Sequence, residues 1–90
     1  MGEICLHCFV EGRVQGVFFR RYVYDKAIAE GLTGFASNLA DGRVEVMICG
    51  EEIAVRAMEL LLWKGPPASS VTQVESTEVP WQAFSYFEVK

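Results

Sequence analysis

Two adjacent arginines, Arg20 and Arg21, follow a short glycine-containing segment, and this combination of residue types could bind an anion. The segment Gly12 to Arg21 reads GRVQGVFFRR and is predicted to run from a strand into a helix that begins near Phe18. A helix start leaves about four main-chain N–H groups without intrahelical partners, and Ser, Thr, Asp or Asn usually caps them. The segment contains none of these four residue types. The helix dipole also disfavours cations in the first turn, so the segment is unfavourable unless a ligand compensates.

A bound anion would remove both unfavourable features of this segment. Its oxygens would accept hydrogen bonds from the uncapped N–H groups, and its charge would offset the helix dipole. Gly12 and Gly16 permit positive φ and a close backbone approach, and the planar fork of arginine suits phosphate. Consecutive helical residues lie about 100° apart, so at most one of Arg20 and Arg21 points into the loop. The predicted phosphate-binding loop consists of Gln15, Gly16, Val17, Phe18 and Phe19.

The predicted secondary structure places this loop between the first strand and the first helix of a β-α-β-β-α-β chain. Alternating apolar residues predict a strand that ends before Gly12, and four-residue spacing predicts a helix over 18–30 that Gly31 terminates. Asp41-Gly42 marks the turn of a following hairpin. A second helix over 51–63 and extended segments over 71–79 and 85–89 complete the order. This order is typical of an α+β, ferredoxin-like fold, with two helices on one face of a four- to five-stranded antiparallel sheet.

Each of four predicted elements has an apolar face that can be assigned from its periodicity. These faces are Ile4, Leu6, Cys8 and Val10 in the first strand, Phe19, Val23 and Ala27 in the first helix, Val44, Val46 and Ile48 in the second hairpin arm, and Ile53, Ala57, Leu60 and Leu61 in the second helix. We expect them to form one core between the helices and the sheet.

Composition favours a single compact domain over residues 1–90. Ninety residues with 51% apolar content are enough to bury one core. The net charge of −4 argues against a general nucleic-acid or anionic-membrane surface. No stretch approaches the roughly 18 apolar residues of a membrane span, and the first residues lack the pattern of a signal peptide. We therefore expect a cytoplasmic protein with no nucleic-acid or membrane partner. A monomer is also expected, although none of these features gives the oligomeric state.

The cysteines Cys5, Cys8 and Cys49 are predicted to be reduced apolar side chains. On a strand, Cys5 and Cys8 point to opposite faces with Cα atoms about 10 Å apart, too far for a disulfide. A zinc site would need a second ligand pair, and only Cys49 and the lone His7 are available. A redox-active C-x-x-C would open a helix, whereas this one lies within a strand.

Two sequence blocks together resemble a known family. GRVQGVFFR followed by GFASNLADGRVEV is similar to the acylphosphatase family, whose pattern is G-x-V-Q-G-V-x-F-R, then G-x-x-x-N, then D-G-x-V-E. The resemblance covers nearly the whole chain. It implies that the arginine closing the first block, Arg20, binds the phosphate of the substrate. It also implies that the asparagine of the second block, Asn38, holds the attacking water.

The chemistry implied by the resemblance is hydrolysis of acyl phosphates to a carboxylate and inorganic phosphate. The leaving carboxylate has a pKa of about 4–5 and departs without a general acid. Phosphoryl transfer depends mainly on positioning and charge stabilisation, so an N–H cradle, one arginine and one amide would suffice. We hypothesise that the phosphate itself takes the proton from water, because no base is evident near Asn38. Neither cofactor nor metal is expected, since the lone His7 forms no catalytic triad and no acidic cluster is present.

Several alternatives remain open from the sequence. One is carbamoyl-phosphate handling, as in the acylphosphatase-like domain of larger carbamoyl-transfer proteins. RNA-binding domains share the fold but stack bases on aromatic residues of the middle strands, which the hairpin arm GRVEVMIC lacks. A non-catalytic phosphate-binding module would use the same loop without needing Asn38. The asparagine could instead bond to its own turn, although Asp41 is the residue expected to serve that turn.

Overall fold

The computed structural model describes residues 2–90, which form two helices and five strands. Met1, the first residue of the predicted domain, lies outside the described residues. In chain order the elements are β1 (Glu3–Arg13), α1 (Phe19–Ala29), β2 (Thr33–Asn38), β3 (Val44–Glu51), α2 (Glu52–Lys64), β4 (Ser70–Val79) and β5 (Phe87–Val89). The predicted order is confirmed, and the last extended segment contributes a short fifth strand. No helix within the described range is long and apolar enough to cross a bilayer.

The five strands form one sheet in the order β4-β1-β3-β2-β5. β1 pairs antiparallel with both β3 and β4, and β2 pairs antiparallel with β3. β5 instead runs parallel to β2, so the sheet is mixed and the prediction of a wholly antiparallel sheet was wrong for this strand. Because β4 and β5 lie at opposite edges, residues 80–86 must cross the sheet between them. Apolar alternation predicts that a strand exists but not which neighbour it pairs with.

The main core lies between the helices and one face of the sheet. Both helices pack on this face, and the apolar faces predicted for β1, α1 and β3 are confirmed. The core residues from these three elements are Leu6, Cys8, Val10, Phe19, Val23, Ala27, Val44, Val46 and Ile48, with Ile4 partly buried beside them. Because α1 is anchored by this packing, its first turn is held in a fixed position at the end of β1.

The face that α2 buries differs from the predicted one. Val55, Met58 and Leu62 are buried against the sheet, whereas Ile53 and Leu60 are 80% and 72% exposed. The helix is apolar on more than one side, so two stripes with i, i+3 and i+4 spacing are available. Packing against the sheet selected the other stripe, although Leu61 of the predicted face is partly buried against the same core.

The opposite face of the sheet carries a disulfide between Cys5 and Cys49. These residues pair directly across β1 and β3, with Cα atoms 4.1 Å apart. The prediction that both are reduced was wrong for the state that this structure shows, because spacing within one strand does not reveal partners 44 residues away. Phe84, from the segment that crosses the sheet, packs beside this pair. Cys8 is a free, buried thiol as predicted, and burial raises its pKa to about 11.

Candidate active site

The loop between β1 and α1 is anchored to the main core by its buried apolar side chains. Val14, Val17 and Phe19 are buried in the main core, while the intervening Phe18 is exposed. Phe18 is the N-cap residue of α1 and adopts the left-handed conformation, with φ 64° and ψ 24°. Its side chain makes no capping hydrogen bond, and the first turn contains no acid. The predicted uncapped helix start is therefore confirmed.

The main-chain N–H groups at this helix start are available to a ligand. Within residues 2–90, Tyr22 is the first residue of the segment whose N–H finds a main-chain acceptor, the Phe18 carbonyl oxygen at 3.0 Å. The N–H groups of 15–21 donate to no carbonyl or side-chain oxygen of the described chain. Gly16 has φ 73°, and a Cβ added there would meet no atom within 4 Å. The loop thus faces open space at Gly16, as an anion cradle requires.

Gly12 has a different role from the one predicted for it. Its φ is 121°, but a Cβ at Gly12 would lie 2.1 Å from the carbonyl oxygen of Ser70. This contact belongs to the irregular pairing of β1 with β4, where the register shifts between Glu11 and Gly12. Gly12 therefore permits close strand approach rather than approach to an anion.

The structure distinguishes the two arginines that the sequence could not. The Arg21 Nε donates to the Asp25 carboxylate at 3.0 Å on the exposed side of α1. Arg20 forms no ion pair with any carboxylate side chain of residues 2–90, and its Nη1 donates to the main-chain oxygen of Lys90. Both arginines line the same cleft, but among residues 2–90 Arg21 is paired with an Asp side chain and Arg20 with no Asp or Glu side chain.

Asn38 is the last residue of β2, and its side chain is exposed in the same cleft. Its carboxamide makes no hydrogen bond within the described part of the chain. The hairpin turn is stabilised instead by Asp41, which accepts from the Arg43 main-chain N–H at 3.1 Å and from the Arg43 Nε at 2.8 Å. These bonds lower the pKa of Asp41, with the main-chain bond the largest cause. Asp41 serves the turn as predicted, which leaves Asn38 free to bind.

Gln15 has a role that sequence reasoning missed. It was assigned to the loop for its main-chain N–H, but its side-chain Nε2 donates to the carbonyl oxygens of Leu39 and Arg43, at 2.8 and 3.0 Å. The amide therefore ties the loop to the hairpin that carries Asn38. A lone polar side chain between two buried valines, Val14 and Val17, was the signal that could have indicated this contact.

These elements enclose a cleft of about 670 Å³. Its lining residues come from the loop, α1, β2 and β5: Val14, Gly16, Phe18, Phe19, Arg20, Arg21, Tyr24, Asn38 and Val89. The cleft brings the predicted Arg20 and Asn38 together with the open Gly16 backbone. Val17 is not a lining residue, and its side chain serves the core. His7 lies on the far face of the sheet, where it contacts Glu45 at 2.6 Å.

A metal centre has no ligand set in the described residues. Among residues 2–90, no group of three or more His, Cys, Asp or Glu side chains is placed to hold a metal ion. What the cleft contains is main-chain N–H groups without protein acceptors and an arginine, beside an exposed carboxamide.

The family model described as acylphosphatase matches residues 6–89. The chain belongs to the acylphosphatase family. This family consists of hydrolases, so the chain is classed as a hydrolase. An acylphosphatase from Chromohalobacter salexigens is 56% identical over 75 residues, which cover 83% of each chain.

Solved structures of acylphosphatases have the same fold as this chain. An acylphosphatase from Coxiella burnetii superposes with a TM-score of 0.94 at 42% identity, covering 98% of this chain and 93% of that one. Full-length HypF, in its phosphate- and nucleotide-bound form, matches with a TM-score of 0.91 at 26% identity. That match covers 99% of this chain but 12% of HypF. The ferredoxin-like α+β fold is therefore shared by free-standing acylphosphatases and by a small part of a larger protein.

Proposed function

We propose that this member of the acylphosphatase family hydrolyses acyl phosphates, with the phosphate bound by Arg20 and the N–H groups of residues 15–19 and the water held by Asn38. The observation that carries this proposal is the meeting of three groups with free hydrogen-bonding capacity in one cleft. The N–H groups lack main-chain acceptors, Arg20 keeps guanidinium donors beyond its bond to Lys90, and the carboxamide lacks a partner. An acyl phosphate with its attacking water would satisfy all three.

Arg20 is pre-organised for this role by a hydrogen bond to Lys90, the residue that follows β5. One guanidinium nitrogen of Arg20 donates to the main-chain oxygen of Lys90, whose own N–H donates to the Ala36 carbonyl oxygen at 2.9 Å. The remaining guanidinium donors stay available for phosphate oxygens. A guanidinium fixed before binding loses less side-chain entropy when the phosphate arrives, so pre-organisation favours both affinity and rate.

The proposed reaction is direct displacement at phosphorus. Asn38 orients a water whose oxygen attacks phosphorus while the bond from phosphorus to the carboxyl oxygen breaks. The electron pair of that bond leaves with the carboxylate, and the water proton passes to a phosphate oxygen. Arg20 and the N–H groups stabilise the charge on the equatorial oxygens in the transition state. No side-chain acid is needed, because the carboxylate is a good leaving group.

Other parts of the proposal concern the protein as a whole. We propose that residues 1–90 act as one domain, as a metal-independent and cofactor-free monomer without nucleic-acid or membrane partners.

We also propose a cytoplasmic location, and this location predicts the oxidation state of Cys5 and Cys49. Disulfides rarely persist in the cytosol, so this location requires the Cys5–Cys49 disulfide of the structure to be reduced to a dithiol in the cell. Thiol trapping at cell lysis tests this: a trapped disulfide would contradict the cytoplasmic proposal.

The decisive experiment is hydrolysis of benzoyl phosphate in EDTA by the wild-type protein and by Asn38→Ala. We expect metal-independent turnover that falls by about 10²–10³-fold in the variant, while inorganic phosphate binds both proteins equally. Carbamoyl phosphate, run in parallel, tests the carbamoyl alternative. Phosphate binding without turnover by the wild-type protein would overturn the enzymatic proposal and leave a phosphate-binding module.

A further inference from the structure

The cleft is larger than a phosphate group requires. Its volume of about 670 Å³ lies within the range of roughly 300–1,000 Å³ that holds whole organic ligands. The polar groups assigned to phosphate and water occupy only part of the lining. Much of the remaining lining is apolar. Phosphate binding does not account for this apolar wall, which includes Phe18, Tyr24 and Val89.

Phe18 is the most unusual residue of this wall. It has φ 64°, a conformation that costs energy for a bulky side chain and is common only for Gly, Asn and Asp. Its ring is also 82% exposed, so burial in the core does not offset the backbone cost. The anion cradle accounts for the backbone conformation, but it does not account for an exposed aromatic ring that lines the cleft.

Two further side chains extend the apolar wall from fixed elements. Tyr24 lies on α1 and lines the cleft, with its ring packed edge-on against Phe87 at a centroid distance of 6.4 Å. Val89 comes from β5 and is 42% exposed. Phe18, Tyr24 and Val89 therefore form a surface from three segments, of which two are held by the sheet and the core.

The charges in the cleft favour an apolar ligand group over an anionic one. Apart from Arg20, which is assigned to phosphate, the cation lining the cleft is Arg21. Its guanidinium is paired with Asp25 at 3.0 Å and lies 5.9 Å from the centre of the Tyr24 ring. A second carboxylate on the ligand would have to compete with Asp25 for this arginine.

We infer that Phe18, Tyr24 and Val89 form a subsite for the acyl group, and that it favours apolar acyl groups of aromatic or branched-chain size. The inference rests on the proposed function, because it concerns the part of the substrate that the phosphate-binding loop does not contact. When the acyl group binds, it covers the exposed Phe18 ring and removes apolar surface from water. Phe18 thus determines specificity, while Arg20 and Asn38 act on the phosphate and the water.

The test compares kcat/KM for benzoyl phosphate and for acetyl phosphate in the same protein. The intrinsic reactivities of the two substrates cancel when this ratio is compared between variants. We expect Phe18→Ala to lower the benzoyl-to-acetyl ratio about tenfold, as loss of apolar contacts in a specificity pocket does. Phe18→Leu, which keeps an apolar side chain, should retain most of the ratio. Leu60→Ala removes a comparably exposed apolar side chain from α2 and should leave the ratio unchanged.

Two kinetic outcomes would overturn the subsite. One is an unchanged ratio in Phe18→Ala. The other is a preference of the wild-type protein for succinyl phosphate over benzoyl phosphate. If this preference disappeared in Arg21→Ala, the apolar wall would be assigned to an anionic acyl group instead.

A binding measurement separates failure of the subsite from failure of the proposed function. Calorimetric titration with benzylphosphonate and methylphosphonate needs no turnover and also works for the wild-type protein alone, should Phe18→Ala fail to fold. We expect benzylphosphonate to bind about tenfold more tightly to the wild-type protein. Equal affinities would overturn the subsite even if acyl phosphates are hydrolysed. Tighter benzylphosphonate binding without any hydrolysis would support the subsite and overturn the enzymatic proposal.

Discussion

The Gln15 side chain is bonded to the hairpin residue that directly follows Asn38. Its Nε2 donates to the Leu39 carbonyl oxygen at 2.8 Å and to the Arg43 carbonyl oxygen at 3.0 Å. Those two carbonyls belong to opposite sides of the turn, where Leu39 N–H also donates to Arg43 O at 2.8 Å. One amide therefore sets the distance between the loop proposed to bind phosphate and the residue proposed to hold the water.

Gln15→Met should lower kcat about 10–100-fold while changing inorganic phosphate affinity much less. Methionine keeps the approximate shape but donates no hydrogen bond, so Asn38 loses its fixed position relative to phosphorus, and small misplacements of reacting groups cost rate steeply. The unfolding free energy should fall by about 1–2 kcal/mol. Steady-state kinetics, phosphate titration and urea unfolding measure the three quantities.

Gln15→Glu serves as the matched comparison for this contact. A carboxylate has no N–H to donate and would face two carbonyl oxygens, so it should destabilise the protein more than methionine does. If Gln15→Met retained wild-type kcat, the amide would have no positioning role.

Arg20→Ala and Arg21→Ala should have very different effects although the residues are adjacent. Loss of Arg20 removes a transition-state donor and should lower kcat/KM by about 10²–10³-fold, with weaker phosphate binding. Loss of Arg21 removes a pair with Asp25 in which both side chains are more than half exposed, so kcat/KM for acetyl phosphate should change by less than about threefold. Equal losses in the two variants would show that the assignment of the phosphate to Arg20 alone is wrong.

The stability contributed by Asp41 should depend on pH with a defined sign. Hydrogen bonds from Arg43, the main-chain bond first, lower the pKa of this carboxyl in the folded state below its usual 3.8. The contribution is therefore fully present above the unfolded pKa and is lost as pH falls through the folded one. We expect Asp41→Asn to melt at a lower temperature than the wild-type protein near neutral pH. In strongly acidic buffer the two melting temperatures should converge, and a difference that stays constant with pH would exclude this linkage.

In purified, oxidised protein, the number of reactive thiols should rise in steps as the protein is first denatured and then reduced. Native protein should not react with Ellman's reagent near pH 8, because Cys8 is buried and its pKa is raised to about 11. Denaturation should expose one thiol, and reduction should expose three. Since the disulfide joins residues 44 apart, reduction should lower the unfolding free energy by about 2–4 kcal/mol. Cys49→Ala is the control, and three thiols in denatured, unreduced protein would contradict the disulfide.

Local sequence patterns predicted most of the elements because each depends on near neighbours. The uncapped start of α1, the turn at Asp41 and the apolar faces of β1, α1 and β3 all follow from periodicity and turn chemistry. The face of α2 was predicted wrongly, since Ile53 and Leu60 offered a stripe as regular as that of Val55, Met58 and Leu62. Only contact with the sheet distinguishes two apolar stripes on one helix.

The sequence by itself determined the element order and the position of the loop, and through the family resemblance it predicted Arg20 and Asn38 as site residues. Tertiary structure alone decided contacts between residues far apart in the chain. The Cys5–Cys49 disulfide, the pairing of β5 with β2 and the Gln15 bonds to the hairpin each join segments that are separated by 24 or more residues in sequence. Such contacts depend on how whole elements pack, and the patterns within any one segment carry little information about packing.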